Sequence, residues 1–403
     1  MSPGPPSQRS GAEPLAAYPI APLLSTLNTE NSALNARLNT EQSAFVRIRG
    51  ICRASFAWDI GLSIDLARAE ERLPISKNRV VLRHRGRAYP MDTRVLPLRL
   101  SLHRDPVQVG ARHTSPRVEV VLFDYGAVSI AYTIELDCDL TELPELSDIL
   151  YDHPGLHIDA RATAEQLLAM LDDAVTRPGI APVVEDYVVF HLDGAGMDGP
   201  LSALWEDHAD VVAAALRSAT EPLSPDEVAD ALSLRVSYGV GDVVIVDWFA
   251  AIVVGPEMED EIAVLEFATV ELLELRMLDR RLDDDLDAAY ELLRAGTPPR
   301  WKLFPGGAGV ARVATLQTDA AMVLEGATNP AKLLGDQYLA RMYRLVAMRF
   351  HLAEWEAAVD RKLSTLDSVY QKLADAAATR RLETLEWIII LLIAVSIAVY
   401  FLP

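Results

Sequence analysis

A glycine-rich hexapeptide, Gly194–Gly199, comes closest in this chain to the spacing of a nucleotide-binding loop. It matches the pattern G-x-G-x-x-G, in which backbone amides approach a pyrophosphate at the start of a helix. A predicted strand precedes it and a predicted helix follows. However, Asp193 and Asp198 would face the phosphates, and no second strand follows promptly to complete a βαβ unit. The sequence therefore favours a flexible loop, and a nucleotide-binding protein or enzyme built on it is the less favoured alternative.

Other residues of catalytic or metal-binding type lack a suitable spacing. His153 and His157 are separated by a Pro-Gly pair that precludes a shared helix face, and no third ligand follows. The run Asp283–Asp285 lacks the alternating ligands of a calcium loop and suits a solvated helix face. Neither Cys52 nor Cys138 has an obvious histidine partner, and no serine lies in a G-x-S-x-G turn. We therefore expect a protein that is not an enzyme and that uses no cofactor and no metal.

The acidic net charge of the chain bears on whether it binds nucleic acid. The formal charge of −21 over 403 residues argues against general nucleic-acid binding. Residues 76–117 depart from this background, with ten basic residues against two acidic ones. A basic face there would suit RNA, the ribosome or anionic lipid headgroups, and its candidate residues are Arg79, Arg83, Arg85 and Arg87. The favoured alternative is pairing with the protein's own acidic segments, because aromatic residues for base stacking are nearly missing.

The chain divides by composition and periodicity. The first residues, 1–16, are rich in Pro, Ser and Gly and show no signal peptide, so we predict a disordered leader over residues 1–43. Residues 44–256 mix strand and helix patterns without a regular βαβ repeat, which predicts an α+β domain. Within it, two β-rich runs flank Asp124-Tyr125-Gly126 and predict a hairpin.

Residues 257–380 are predicted to be helical. Apolar residues recur at steps of three and four from Leu265 to Leu293 and from Tyr338 to Leu373. This predicts two long, coiled-coil-like helices packed as an antiparallel hairpin or bundle within one chain. The alternative is that the same seams are buried between the chains of a homo-oligomer.

The C-terminal end carries the most pronounced pattern. From Trp387 to Leu402, sixteen residues carry no charge, and as a helix they would span roughly 24 Å. A hydrocarbon core is about 30 Å thick, so the segment is short, but its apolar residues occupy every face. We predict a transmembrane helix over 385–402, with a buried core helix as the alternative. The proposed anchor residues are Trp387, Ile388, Ile389, Ile390, Leu391, Leu392 and Ile393.

The basic pair Arg380 and Arg381 precedes this segment, and no basic residue follows it. By the positive-inside tendency, the N-terminal bulk would then lie in the cytoplasm. We therefore expect a single-pass protein of the cell inner (cytoplasmic) membrane.

The C-terminal third resembles the RMD/sif ("required for meiotic nuclear division") family and its bacterial branch. The residues that carry the resemblance are Glu266-Phe267-Ala268, Lys332–Tyr343, Arg349-Phe350, Trp355 and Leu385–Ile389. The resemblance implies an α+β domain, a helical segment and a C-terminal membrane anchor, without an established enzymatic activity. Eukaryotic relatives are associated with mitochondria, and some with the support of mitochondrial translation. The chain departs from the family at Ser396, where members often carry an acidic residue.

These observations predict a non-enzymatic, tail-anchored membrane scaffold or adaptor. Its partners would be the lipid bilayer and, through the helical region, a second copy or another protein. A membrane tether for the ribosome or RNA through 76–117 is the alternative.

Overall fold

The computed structural model describes residues 46–80, 82, 96–194, 201–294, 318 and 336–401. The described elements lie within the compact unit Arg47–Pro403. The strands are β1 (Arg47–Asp59), β2 (Ser63–Ile64), β3 (Lys77–Arg79), β4 (Leu98–His103), β5 (Gln108–Val109), β6 (Arg112–His113), β7 (Arg117–Leu122), β8 (Ala127–Asp139), β9 (Val175–Thr176), β10 (Val184–Leu192), β11 (Arg235–Val236), β12 (Val243–Val246) and β13 (Ala250–Val254).

Nine of these strands form one mixed sheet in the order β11-β12-β13-β10-β1-β8-β7-β4-β3. The two longest strands, β1 and β8, pair along thirteen residues at its centre. Among the described strands, only β10 and β13 are parallel neighbours, with Phe190 opposite Ile252. The predicted hairpin is confirmed: β7 and β8 are antiparallel on either side of Asp124-Tyr125-Gly126. Small two-stranded sheets join β2 to β9 and β5 to β6.

The described helices cover both faces of the sheet. They are α1 (Leu66–Arg72), α2 (Leu143–Leu150), α3 (Pro154–Leu171), α4 (Ala203–Glu206), α5 (Ala209–Arg217), α6 (Pro225–Ala231), α7 (Glu259–Arg294), α8 (Gln337–Arg349) and α9 (Leu352–Phe401). Helices α3 and α5 pack against β1, β8 and β13, while α7 crosses β10, β1 and β8. The alternation of side chains along β1 produces these two faces. Phe56 meets His157 of α3 on one of them, and Arg53 meets Glu266 of α7 on the other.

Helix α7 is central to the fold because its first half is buried on nearly every side. Leu265, Ala268 and Leu272 pack between the sheet and α8, while Phe267 and Val270 pack against the β7–β8 end of the sheet. Its second half forms a separate cluster with α9, in which Leu278 and Leu282 meet Val359 and Leu366.

The predicted fold class is wrong in its arrangement of the helical region. The region does not follow the α+β domain as an antiparallel hairpin, because α7 itself covers one face of the sheet. Helices α7 and α9 also run in the same direction. Arg276 meets the Trp355 ring, and farther along both helices Lys362 pairs with Asp283. The connection between α7 and α8, 295–335, is long enough to return the chain to the start of α7 before α8 begins. Periodicity revealed the seams and left the direction of the helices undetermined.

The predicted transmembrane helix is also wrong. Within the described residues, no helix combines the length and the apolar character needed to cross a membrane. Residues 385–401 are the end of α9, whose charged residues continue as far as Glu386. The described part of the apolar run that follows, 387–401, is shorter than the roughly 20 residues that a span requires.

Candidate functional site

The predicted anchor residues lie at the end of α9, with no described neighbour that covers them. Their exposed fractions run from 48% for Ile388 to 69% for Trp387. Helix α7 is described only to Arg294, and α9 continues well past the level of that residue. The structure therefore brings these seven residues together as an exposed apolar segment, Trp387–Ile393. Arg380 and Arg381 lie within α9, and the structure describes their backbone but not their side chains.

Most described members of the basic run make side-chain contacts within the chain. Arg79 donates to Glu70 Oε2 at 2.6 Å and to the Leu96 carbonyl at 2.9 Å, with its side chain mostly buried. Arg104 pairs with Asp159 at 2.5 Å, and the other internal pairs include Arg112 with Glu142 and Arg99 with Glu266. Arg83, Arg85 and Arg87 lie outside the described residues. The contacts of Arg79 fit a role in joining β3 to α1.

The glycine-rich stretch lies at the end of β10. Gly194 has a φ of +70° and its position is described, whereas 195–199 lie outside the described residues. Asp193 continues the sheet, since its amide donates to the Arg49 carbonyl at 2.9 Å.

A cleft of about 360 Å³ opens where three helices end, a feature that the sequence patterns did not indicate. Its walls come from the ends of α2, α5 and α8 and from the turn between β12 and β13. The lining residues are Tyr151, Leu216, Arg217, Asp247, Trp248, Phe249, Arg349 and His351. Its volume is within the range of small-ligand pockets.

Asp247 holds the base of the cleft together. It is buried, and it accepts from Arg217 Nε at 2.8 Å and from the Trp248 amide at 2.8 Å. Arg349 Nε lies 3.4 Å from its other oxygen. Both arginines also reach Asp230 of α6, at 2.5 and 3.0 Å, and these hydrogen bonds hold the pKa of Asp230 below its usual range. The network fixes α5, α6, α8 and the β12–β13 turn relative to one another.

Aromatic rings form the upper walls. Tyr151 and Phe249 meet edge to face at 5.2 Å, and Trp248 lies 6.3 Å from the His351 ring. Tyr151 and Trp248 remain largely exposed. Because the two guanidinium groups already have acidic partners, the free surface suits contact with an apolar or aromatic group.

Buried carboxyl groups on α7 form a second feature that sequence reasoning missed. Glu271 and Glu274 are three residues apart, so they share a helix face, and they are 1% and 2% exposed. Tyr343 of α8 donates to Glu271 Oε2 at 2.5 Å. Asp59, at the end of β1, pairs with Arg281 of α7 and accepts from the Gly61 amide at 3.0 Å. The available signal was the position of these glutamates on the apolar side of a helix.

A third buried group links α7 to the sheet. Glu266 accepts from Ser129 at 2.6 Å and pairs with Arg53, which also contacts Glu119 at 2.5 Å. These charges neutralise one another and hold α7 across β1, β7 and β8. Among the described residues, no group of three His, Cys, Asp or Glu side chains is placed to hold a metal ion.

Comparison with known proteins points to one family. Residues 49–261 match the family described as "Uncharacterized protein MJ0711, N-terminal domain". A curated relative, "Uncharacterized protein MJ0711" of Methanocaldococcus jannaschii, is 21% identical over 174 residues, which cover 41% of this chain and 51% of the relative. The chain thus spans about half the length of the curated relative that it matches. No solved structure matches. The match extends from the sheet to the start of α7 and names no RMD/sif family.

Proposed function

We propose a scaffold function without catalysis for this chain, which belongs to the family of the MJ0711 N-terminal domain. In this proposal the sheet and its helices form a rigid body, and the exposed apolar segment Trp387–Ile393 attaches that body to a lipid bilayer. The observation that carries the proposal is the exposure of these seven consecutive residues at the end of α9. The attachment is by insertion of apolar side chains, and the proposal does not include a membrane-spanning helix.

A lipid partner is favoured by the geometry of the segment. Seven consecutive helical residues cover almost two turns and therefore every side of the helix. A groove on another protein would cover one side and leave the others in water. Hydrocarbon chains would surround all sides, and each square ångström of apolar surface removed from water contributes about 25 cal/mol.

A second copy of the chain is a weaker candidate partner. The seams that would join two copies are already buried within one chain, where Leu366 of α9 packs with Leu278 and Leu282 of α7. Self-association through these seams would require the two helices to separate. For a similar reason we do not extend the proposal to RNA or the ribosome, since Arg79 already contacts Glu70.

We also propose that the C-terminal third of the chain is related to the RMD/sif family. Its support is the sequence resemblance of the C-terminal third, including Arg349-Phe350 and Trp355. These residues have defined positions: Arg349 joins α8 to the Asp247 network, and Trp355 meets Arg276 of α7.

Flotation with lipid vesicles tests the proposed attachment. The full-length chain should float with phosphatidylcholine–phosphatidylglycerol vesicles, and Ile389→Asp with Ile393→Asp should abolish flotation. Ser364→Asp with Ser368→Asp is the matched control, because it adds the same charges at exposed positions of the same helix. The control should float like the wild-type protein.

Two outcomes would overturn the attachment. One is a wild-type chain that stays at the bottom of the gradient with these vesicles. The other is a wild-type chain that forms oligomers, dissociated by the isoleucine substitutions, and does not float. That second result would identify another copy as the occupant of the apolar segment.

A further inference from the structure

Three carboxyl groups are buried together where the middle of α7 packs against the end of β1. Asp59, Glu271 and Glu274 are each at most 2% exposed. A buried ionised carboxylate needs a counter-charge and hydrogen bonds, and without them it takes up a proton instead.

The surroundings supply one positive charge for the three groups. The titratable and charged side chains that face them are Arg281 from α7, Tyr125 and Asp124 from the β7–β8 turn, Tyr343 from α8 and Glu356 from α9. The guanidinium of Arg281 pairs with Asp59. Among the described residues, neither Glu271 nor Glu274 forms an ion pair of its own, and Arg281 only partly offsets the cost of a charge at Glu274.

Hydrogen bonding does not replace the missing charges. Glu271 accepts one hydrogen bond, from the Tyr343 hydroxyl at 2.5 Å. Within the described part of the chain, Glu274 Oε1 and the Tyr125 hydroxyl are buried without a hydrogen-bond partner. Next to Tyr125, the Gly126 carbonyl accepts from the Ile60 amide at 3.0 Å, which ties the β7–β8 turn to the end of β1. A carboxylate at Glu274 would thus lie in an apolar site beside the negative charge of Asp59.

We propose that Glu271 and Glu274 carry protons in the folded protein and act together as a pH-responsive latch, which holds the middle of α7 against the sheet and α8. Loss of these protons at alkaline pH releases this part of α7. Because α8 and α9 both pack along α7, this release also loosens the first turns of α9, where Trp355 contacts Arg276 of α7. The latch is independent of the attachment to lipid, since its residues lie in the folded body.

The proton affinities agree with this geometry. Burial raises the pKa of Glu271 to about 8. Burial, and after it the charge of Asp59, raises the pKa of Glu274 well above its ordinary value. Glu271 is therefore mostly protonated at pH 7, and the latch is closed there. It opens as the pH rises through the pKa of Glu271.

Hydrogen exchange across pH tests the latch. In the full-length wild-type protein, we compare the amides of α7 between 266 and 280 at pH 7 and at pH 9.5. Their protection factors, which are corrected for intrinsic exchange, should fall at least about tenfold. Glu271→Gln with Glu274→Gln keeps both sites neutral and should hold this protection constant. Glu291→Gln, at an exposed position of the same helix, should respond like the wild-type protein.

Constant protection in the wild-type protein would overturn the latch, and so would an unchanged loss in the double glutamine variant. Infrared spectroscopy keeps the proposal falsifiable if that variant fails to fold. The wild-type protein at pH 7 should show the carbonyl absorption of protonated carboxylic acids, and this absorption should disappear on raising the pH. Its absence at pH 7 would also refute the proposal.

Discussion

The Lys362 ammonium lies 2.6 Å from an oxygen of Asp283 and so joins α9 to α7 at a fixed register. Earlier along both helices, the Arg276 guanidinium lies 5.8 Å from the centroid of the Trp355 ring. The residue number rises in the same direction along both helices between these two contacts. The pair is therefore parallel, and the charged contacts set the register while the apolar seam supplies the buried surface.

Cysteine crosslinking should detect this direction. In Asp283→Cys with Lys362→Cys, the two thiols replace side chains in contact and should form a crosslink under mild oxidation. Asp283→Cys with Thr379→Cys is the matched control, because Thr379 lies roughly 25 Å farther along α9. The native Cys52 and Cys138 are buried and should not interfere. Equal crosslinking of both pairs, measured by mass spectrometry, would contradict the parallel arrangement.

Truncation of the α7–α9 seam should destabilise the protein. Leu366 is fully buried against Leu278 and Leu282, so Leu366→Ala should lower the free energy of unfolding by about 2–5 kcal/mol. Leu385→Ala removes the same atoms from an exposed position and should change stability by no more than about 0.5 kcal/mol. Urea unfolding of both variants provides the measurement. A similar loss in the two variants would argue against the seam.

Sequence reasoning could predict those elements whose signals are local. The β7–β8 hairpin follows from two β-rich runs around a glycine-bearing turn, and the apolar seams follow from steps of three and four residues. Neither pattern determines whether the two helices that carry the seams pack parallel or antiparallel. The cleft could not be predicted from the sequence for a similar reason. Its lining residues are distant in the chain and meet only because the sheet places three helix ends together; they include Tyr151, Arg217, Trp248 and Arg349.

The buried glutamates illustrate a different limit. Glutamate is seldom buried without a partner, so the residue type of Glu271 and Glu274 favours an exposed helix face. Their burial follows from the way in which α7 lies between the sheet and α8. A sequence pattern records that they share a side of the helix, but not that the side is enclosed.

Gly126 should tolerate no side chain. It has a φ of +102°, and a Cβ atom would lie 1.8 Å from the Gly61 carbonyl oxygen. Gly126→Ala should therefore destabilise the protein by at least about 2 kcal/mol, through backbone strain and loss of the contact between the hairpin and β1. Gly179→Ala is the control, because no atom lies within 4 Å of its Cβ position. Thermal unfolding that affects both variants equally would exclude this explanation.

The stability of the protein should fall as the pH rises from about 5 to about 8. The pKa of Glu271 is about 8 in the folded protein, whereas an unfolded glutamate has a pKa of about 4.3. Between these values the folded state binds one more proton, so its stability decreases by about 1.4 kcal/mol per pH unit for this group. Glu271→Gln should reduce the measured slope by that amount, as followed by urea unfolding at a series of pH values, while Glu291→Gln should leave the slope unchanged. Parallel slopes in both variants would contradict the assignment to Glu271.

Removal of the Asp247 charge should weaken the base of the cleft. Asp247 is buried between Arg217 and Arg349, and its oxygens lie 2.8 and 3.4 Å from their Nε atoms. Asp247→Asn retains the shape of the side chain but leaves two partly buried guanidinium groups with less compensating charge. We expect a loss of about 3 kcal/mol in the free energy of unfolding, typical of a broken buried pair.

The matched control for this loss is Asp226→Asn, an exposed position on α6, which should leave stability unchanged within about 0.5 kcal/mol. Because Trp248 donates its amide to Asp247, the substitution should also change the tryptophan fluorescence of the folded protein. A variant with wild-type stability and unchanged fluorescence would show that the α6 carboxylates, Asp230 and Glu227, suffice to compensate both arginines. The base of the cleft would then depend on α6 rather than on the β12–β13 turn.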